Sequence, residues 1–289
     1  MTPLSSKKRK TFFVIAIIIF IVAIPVVIMH ARGFRFDSAL GIFKSGGLFI
    51  FNDYSGSEIY IDGKFFRKTG IIQKNILVDN LFPGKYAVEV KKDGFNVWQS
   101  VLEVYPEVVT QAKAFVLPED IEKIEIPEFV DERGSATTSK KIENKDYIES
   151  VSLFSATSTL VVYKDPRTNA TSTKIRIERD ILLELKNDML IAYFTDDIDD
   201  APFFLCIFDE CIKQYEILNS TDIGSFEFYP GNNDVVVVSY DNKVSVFQID
   251  VRDYILPQNI FIGNKPDFRL IDNSRMLVLD GKELYLIEL

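Results

Sequence analysis

Apolar and polar positions divide the chain into unlike parts. Residues 12–29 read FFVIAIIIFIVAIPVVIM, eighteen positions without a charge. A helix of that length, at about 1.5 Å per residue, spans roughly 27 Å, close to the hydrocarbon thickness of a bilayer. Only a helix satisfies its own backbone there. Phe12 and Met29 bound the run. Pro25 removes one N–H inside it and predicts a kink, which membrane helices tolerate. Lys7, Lys8, Arg9 and Lys10 precede the segment, and only Arg32 and Arg35 follow closely. The positive-inside bias then predicts a cytoplasmic N-terminus and an extracytoplasmic bulk, a single-pass signal-anchor in the lipid bilayer. A cleaved signal peptide is the rival, disfavoured by the long apolar core and by Met29 where a small residue is wanted. A buried helix of a soluble protein is the third reading.

After the segment the period changes from helical to alternating. Residues 31–46 read as a glycine-bearing juxtamembrane linker. Short alternating strands follow at 48–51, 58–61, 76–78, 85–91, 98–104 and 111–117. Asp62-Gly63, Pro83-Gly84 and Asp93-Gly94 punctuate them, because glycine accepts the positive φ of a tight turn. Residues 118–146 are dense in charge, with a Gly-Ser-Ala-Thr-Thr-Ser run, and read as a polar linker able to add an edge strand.

From residue 147 to 289 strands and turns return with a loose repeat. Asn187-Asp188 precedes 189–194, with 203–208 and 212–218 after it. Asn233-Asp234 precedes 235–239, with 244–249 after it. Asn273-Ser274 precedes 276–279, with 284–287 after it; 159–163 and 174–177 form a looser first copy. Starts 46 and 40 residues apart are blade-like spacing. The expectation is a propeller-like, incomplete domain, with a β-sandwich as the alternative. The predicted fold is therefore mainly β: residues 1–11 a basic tail, 12–30 the anchor, 31–46 a linker, 47–117 a small sandwich, 118–146 a polar linker and 147–289 the propeller-like domain.

The first β block carries Ile59-Tyr60-Ile61-Asp62-Gly63-Lys64, then Thr69-Gly70, Pro83-Gly84-Lys85-Tyr86-Ala87-Val88-Glu89-Val90 and Asp93-Gly94-Phe95. In order and spacing these resemble the PEGA domain, a small β-sandwich module. Tyr54-Ser55-Gly56-Ser57 stands in place of the Pro-x-Gly-Ala that names the family, and Thr69-Gly70 in place of Thr-Pro. The resemblance implies an extracytoplasmic module without enzymatic activity, fused to other domains, with Tyr60, Asp62, Gly63, Thr69, Pro83, Gly84, Tyr86, Gly94 and Phe95 as its pattern residues.

Composition narrows the chemistry. The net charge is −9, of which the basic tail supplies +4, so residues 11–289 carry −13. That balance repels polyphosphate and excludes nucleic acid as the expected partner. The single histidine, His30, borders the apolar segment, so no histidine triad or histidine-rich zinc site is expected downstream, and no cofactor is implied.

Cys206 and Cys211 flank a four-residue turn between apolar runs. They face each other within disulfide reach if a hairpin forms; otherwise they are two buried thiols. Asp196, Asp197, Asp199 and Asp200 form an acidic turn, read as a solvated tip because the glycine and closing glutamate of a calcium loop are missing. Trp98 reads as core rather than a sugar-stacking platform. Asn169 and Asn219 head glycosylation triplets.

The expectation is a non-catalytic, membrane-anchored envelope protein that binds or scaffolds envelope proteins or glycans. A carboxylate-based hydrolase of envelope polymers and a subunit of a membrane assembly are the alternatives.

Overall fold

The computed structural model describes residues 6–37, 41–126, 163–164, 171–172 and 175–289. The chain is mainly β with one N-terminal apolar helix, Ser6–Ala31, long enough to cross a membrane. No side chain of its most apolar window is buried by the rest of the protein. Pro25 lies inside it. The helix stops at Gly33, whose φ of 79° is open to glycine at little cost. Arg32 N–H still donates to Ile28 O at 3.0 Å and Gly33 N–H to His30 O at 3.1 Å.

The segment expected as a linker forms a hairpin, Phe34–Asp37 against Gly41–Lys44. Arg35 ties it down. Its guanidinium donates to His30 O at 2.9 Å, at the negative end of the helix, and to Asn80 Oδ1 at 2.6 Å in the first β module.

That module is a two-sheet sandwich. One sheet has the order Ile76–Leu81, Gly46–Asn52, Val109–Ala114, its last pair parallel; the other runs Lys64–Lys68, Glu58–Ile61, Gly84–Lys91, Trp98–Val104. Alternation decides the faces: Trp98, Ser100, Leu102 and Val104 point inward, while Gln99 and Val101 point out. Leu48, Ile50, Ile59, Val88 and Val90 complete the core. Gly46 starts its strand because a Cβ there would lie 2.1 Å from Tyr105 O.

Among the described residues the C-terminal module contains three four-stranded antiparallel sheets. The first comprises Ile175–Glu178, Ile181–Lys186, Met189–Phe194 and Gln214–Asn219. The second comprises Ile223–Phe228, Val235–Tyr240, Lys243–Gln248 and Gln258–Ile262. The third comprises Asp267–Leu270, Arg275–Asp280 and Glu283–Glu288, and takes its outer strand from Lys123–Ile126, inside the stretch expected as polar linker. Ile126 is drawn there by burial against Leu277 and Leu284.

One core lies between the first and second sheets, around Leu183, Leu190, Val236, Val238 and Phe247. Another lies between the second and third, around Val235, Val237, Val246, Phe268 and Met276. The second sheet is thus covered on both faces, so Val235–Tyr240 is buried throughout.

The repeat read from sequence is out of register in its first copy. Asn187-Asp188 joins the second and third strands of its sheet, whereas Asn233-Asp234 and Asn273-Ser274 join first and second strands. The expected strand at 203–208 is instead a 3₁₀ turn, Phe203–Leu205, followed by the two-residue strand Cys206–Ile207. Phe204 and Leu205 are consecutive and both buried, which a strand covered on one face only cannot achieve. Of the looser first copy, residues 159–162 and 174 lie outside the described residues.

Candidate functional site

Val109–Ala114 is the outer strand of the three-stranded sheet, so one row of its backbone groups has no strand partner. Such an edge needs cover. The C-terminal module supplies it with long polar side chains. Arg252 Nη1 donates to Gln111 O, Gln248 Nε2 to Lys113 O at 2.8 Å, and Gln258 Nε2 to Phe115 O at 2.9 Å. Successive carbonyls two residues apart face the same way along extended chain, and each is met by one side chain. The two glutamines also accept: Gln248 Oε1 from Trp98 Nε1 at 3.0 Å, Gln258 Oε1 from Leu117 N–H at 2.8 Å. Asp253 Oδ2 accepts from Val101 N–H at 2.6 Å, on the facing sheet edge.

Charge and apolar packing reinforce this junction. Lys113 Nζ pairs with Asp234 Oδ1 at 2.7 Å, and Asp234 is 2% exposed. Lys113 also donates to Asn232 Oδ1. Arg252 is held by Asp250 through Nε at 2.8 Å and Nη2 at 2.5 Å, both side chains nearly buried. Phe115 and Leu117 enter the core of the C-terminal module, and Ile255 enters that of the sandwich. Phe115 packs on Tyr229 at 4.8 Å. Burial, with a smaller contribution from Tyr54, pushes the Tyr229 phenol up to about 12, so it stays neutral.

Where this ladder ends a groove of about 690 Å³ opens between the modules. Lys85, Glu103 and Tyr105 line one wall; Phe203, Phe208 and Arg252 line the other. Phe208 stands 4.5 Å from Tyr105, and Arg252 lies 5.5 Å from the Phe203 ring. Phe203 also stacks on Phe51 of the sandwich at 5.8 Å. Burial and then Glu103, to which the phenol is hydrogen-bonded, push Tyr105 up. Aromatic faces beside both signs of charge suit an amphipathic ligand.

Cys206 and Cys211 face each other in a small hairpin and are disulfide-bonded, S–S 2.01 Å. The turn between them carries Phe208 at φ 55° and presents its ring to Tyr105. Among the described lining residues, Cys206 is in the disulfide, Thr110 Oγ1 donates to Glu103 O at 2.7 Å, and Asp253 is taken by Val101 N–H.

A second cavity, about 450 Å³, opens where the first strands of the three sheets meet, among Arg176, Glu178, Glu227, Tyr229 and Asp272. Arg176 and Glu227 are ion-paired across it.

The remaining sequence candidates have structural employment. Asp62 and Gly63 both have positive φ, 50° and 72°, as a two-residue hairpin turn requires. Asp62 Oδ1 accepts from Ala87 N–H at 3.0 Å. Thr69 is buried; its hydroxyl accepts from Ser57 N–H at 2.9 Å and donates to Tyr54 O at 3.1 Å. Tyr86 donates to Phe82 O at 2.8 Å, over the Pro83-Gly84 turn. Gly94 turns at φ 75°, and Phe95 packs on Tyr54 at 4.6 Å. Tyr60 donates to Glu58 at 2.9 Å.

Trp98 is 1% exposed and belongs to the core and the junction, so it offers no face to a sugar. The acidic turn is a 3₁₀ turn, Ile198–Asp200, with Asp196 Oδ1 accepting from Asp197 N–H at 2.9 Å. Among the described residues no three His, Cys, Asp or Glu converge as a metal site requires. Asn219 is exposed at a strand end; Asn169 lies outside the described residues. Phe12 and Met29 are exposed on the helix.

Sequence reasoning missed Lys113, Gln248, Arg252, Asp253 and Gln258. The available signal was a cluster of long polar residues at the end of an otherwise buried strand. No protein-family model matches the chain, and no curated protein matches it.

Proposed function

We propose that this chain is a non-catalytic, membrane-anchored extracytoplasmic envelope protein whose two β modules act as one binding or scaffold unit. The observation that carries the reading is the groove shared by the modules, with walls fixed by the carbonyl ladder and an aromatic pair, Tyr105 and Phe208, at its mouth. Its occupant is an envelope protein segment or glycan with apolar and hydrogen-bonding surface. The basic tail keeps the N-terminus in the cytoplasm, which puts the disulfide hairpin on the oxidising side.

The sandwich is PEGA-like. The turn chemistry of Asp62, Gly63, Thr69 and Gly94 supports that reading. The C-terminal module is propeller-like. Two features support this: its four-stranded sheets begin at Ile175, Ile223 and Asp267, 48 and 44 residues apart, and the last sheet borrows an outer strand from ahead of the module.

Photo-crosslinking in native membranes tests the binding role. A crosslinking residue at 208 or 105 is expected to give a discrete adduct, absent when placed at exposed Ile72 and weakened by Arg252→Ala. Groove positions no better than position 72 contradict it. Release of fragments from envelope polymers would favour the hydrolase instead.

A further inference from the structure

We propose that the outward face of the hairpin Phe34–Asp37/Gly41–Lys44 lies in the headgroup layer of the membrane that holds the helix, as a second, interfacial contact. The inference rests on the anchor reading above. The hairpin has two unlike faces. Arg35 and Phe43 are cross-strand partners on one, and both are engaged: Arg35 with His30 O and Asn80, Phe43 with Phe82 at 4.9 Å. Phe36 and Ile42 are partners on the other, and nothing in the described chain covers them; they are 79% and 61% exposed. Phe34 and Lys44 share that face; Lys44 Nζ lies 5.4 Å from the Phe34 ring and is ion-paired with Glu107 at 2.8 Å, so the open part of the face is Phe36 and Ile42.

Continuity with the helix identifies the occupant. The helix ends at Ala31, and only Arg32 and Gly33 separate it from the hairpin. Five extended residues reach at most about 17 Å, so Phe36 cannot stand far from the end of the apolar span. The Arg35 contact with His30 O and the Ser45 N–H bond to Gly33 O at 2.9 Å hold the hairpin base against that end. The interfacial layers add roughly 5–8 Å on each side of the hydrocarbon. Apolar side chains beside Arg32 suit that zone, where rings and methyls meet acyl chains and a cation meets anionic headgroups. A lipid surface is therefore the partner that the fold delivers to this face.

Depth-dependent quenching tests this on the full chain, reconstituted in phosphatidylcholine vesicles containing a minority of phosphatidylglycerol. Variants Phe36→Trp, Ile42→Trp and Phe20→Trp are compared, with emission of the buried native Trp98 subtracted. Lipids brominated near the headgroup are expected to cut the added emission about twofold at positions 36 and 42, and deep-brominated lipids to do so at position 20. Two cross-strand positions guard against one variant misfolding. Quenching at 20 but at neither 36 nor 42 overturns the interfacial contact and leaves the anchor standing. Absence of quenching at 20 overturns the anchor reading and this inference with it.

Discussion

Replacing Lys113 with methionine removes one charge from a place where another is almost completely enclosed. Asp234 is 2% exposed, its Oδ1 is 2.7 Å from Lys113 Nζ, and Asn232 is the other group on that ammonium. Asp234 Oδ2 has no hydrogen-bond partner of its own among the described residues, so the ammonium is its chief compensation. Breaking a buried pair by removing one member costs about 3–5 kcal/mol. The Lys113 side chain is 21% exposed, which lets water take over part of the role and puts the expected loss near the lower end, about 3 kcal/mol. The double variant Lys113→Met/Asp234→Leu removes both charges and is expected to lose clearly less than the two singles added together, a coupling of about 1–3 kcal/mol.

Urea unfolding in detergent, followed by emission of Trp98, is the assay. Its indole sits in the junction, bonded to Gln248, and reports when the modules part. A single cooperative transition that moves to lower urea is expected. A shift worth less than about 0.5 kcal/mol, or additivity in the double variant, would refute the reasoning.

Gly46→Ala places a methyl 2.1 Å from Tyr105 O and 2.7 Å from a Val104 methyl. The expected loss is about 3 kcal/mol or more, read by the same unfolding curve. Reducing the Cys206–Cys211 bond frees a short loop and is expected to cost roughly 2 kcal/mol by loop entropy; two titratable thiols in the denatured, unreduced protein would remove the premise. Asp272 is held near about 2, first by the Arg275 guanidinium and then by Ser274. A carboxyl depressed on folding contributes stability that is complete above its unfolded value near 4. That contribution is lost as pH falls through about 2. Carboxyl NMR should locate its titration there, and Arg275→Ala should move it upward.

The apolar run at 12–29 was legible because eighteen consecutive residues carry no charge, and the alternation at 98–104 because burial of one face imposes a period, with Trp98, Leu102 and Val104 inward. Asp62-Gly63 was legible because few residue pairs tolerate two positive φ angles. The junction was not. Gln248 and Gln258 look like ordinary polar residues until the folded edge at Gln111, Lys113 and Phe115 is placed beside them, more than a hundred residues away in sequence. The 3₁₀ turn at Phe203–Leu205 escaped because a run of apolar residues gives no period. The linker expected at 31–46 hid a hairpin whose inward face depends on Arg35 and on Asn80 beyond it.

The central claim is that one uncleaved helix holds both β modules on the far side of a membrane. It is tested most directly by epitope tags at both ends of the chain, probed in sealed vesicles of known sidedness after carbonate extraction. The account predicts that the protein stays in the membrane pellet with both tags, the C-terminal tag reachable only from the extracytoplasmic side and the N-terminal tag only from the cytoplasmic side. Loss of the N-terminal tag from the mature chain, or a C-terminal tag exposed to the cytoplasmic side, would contradict it.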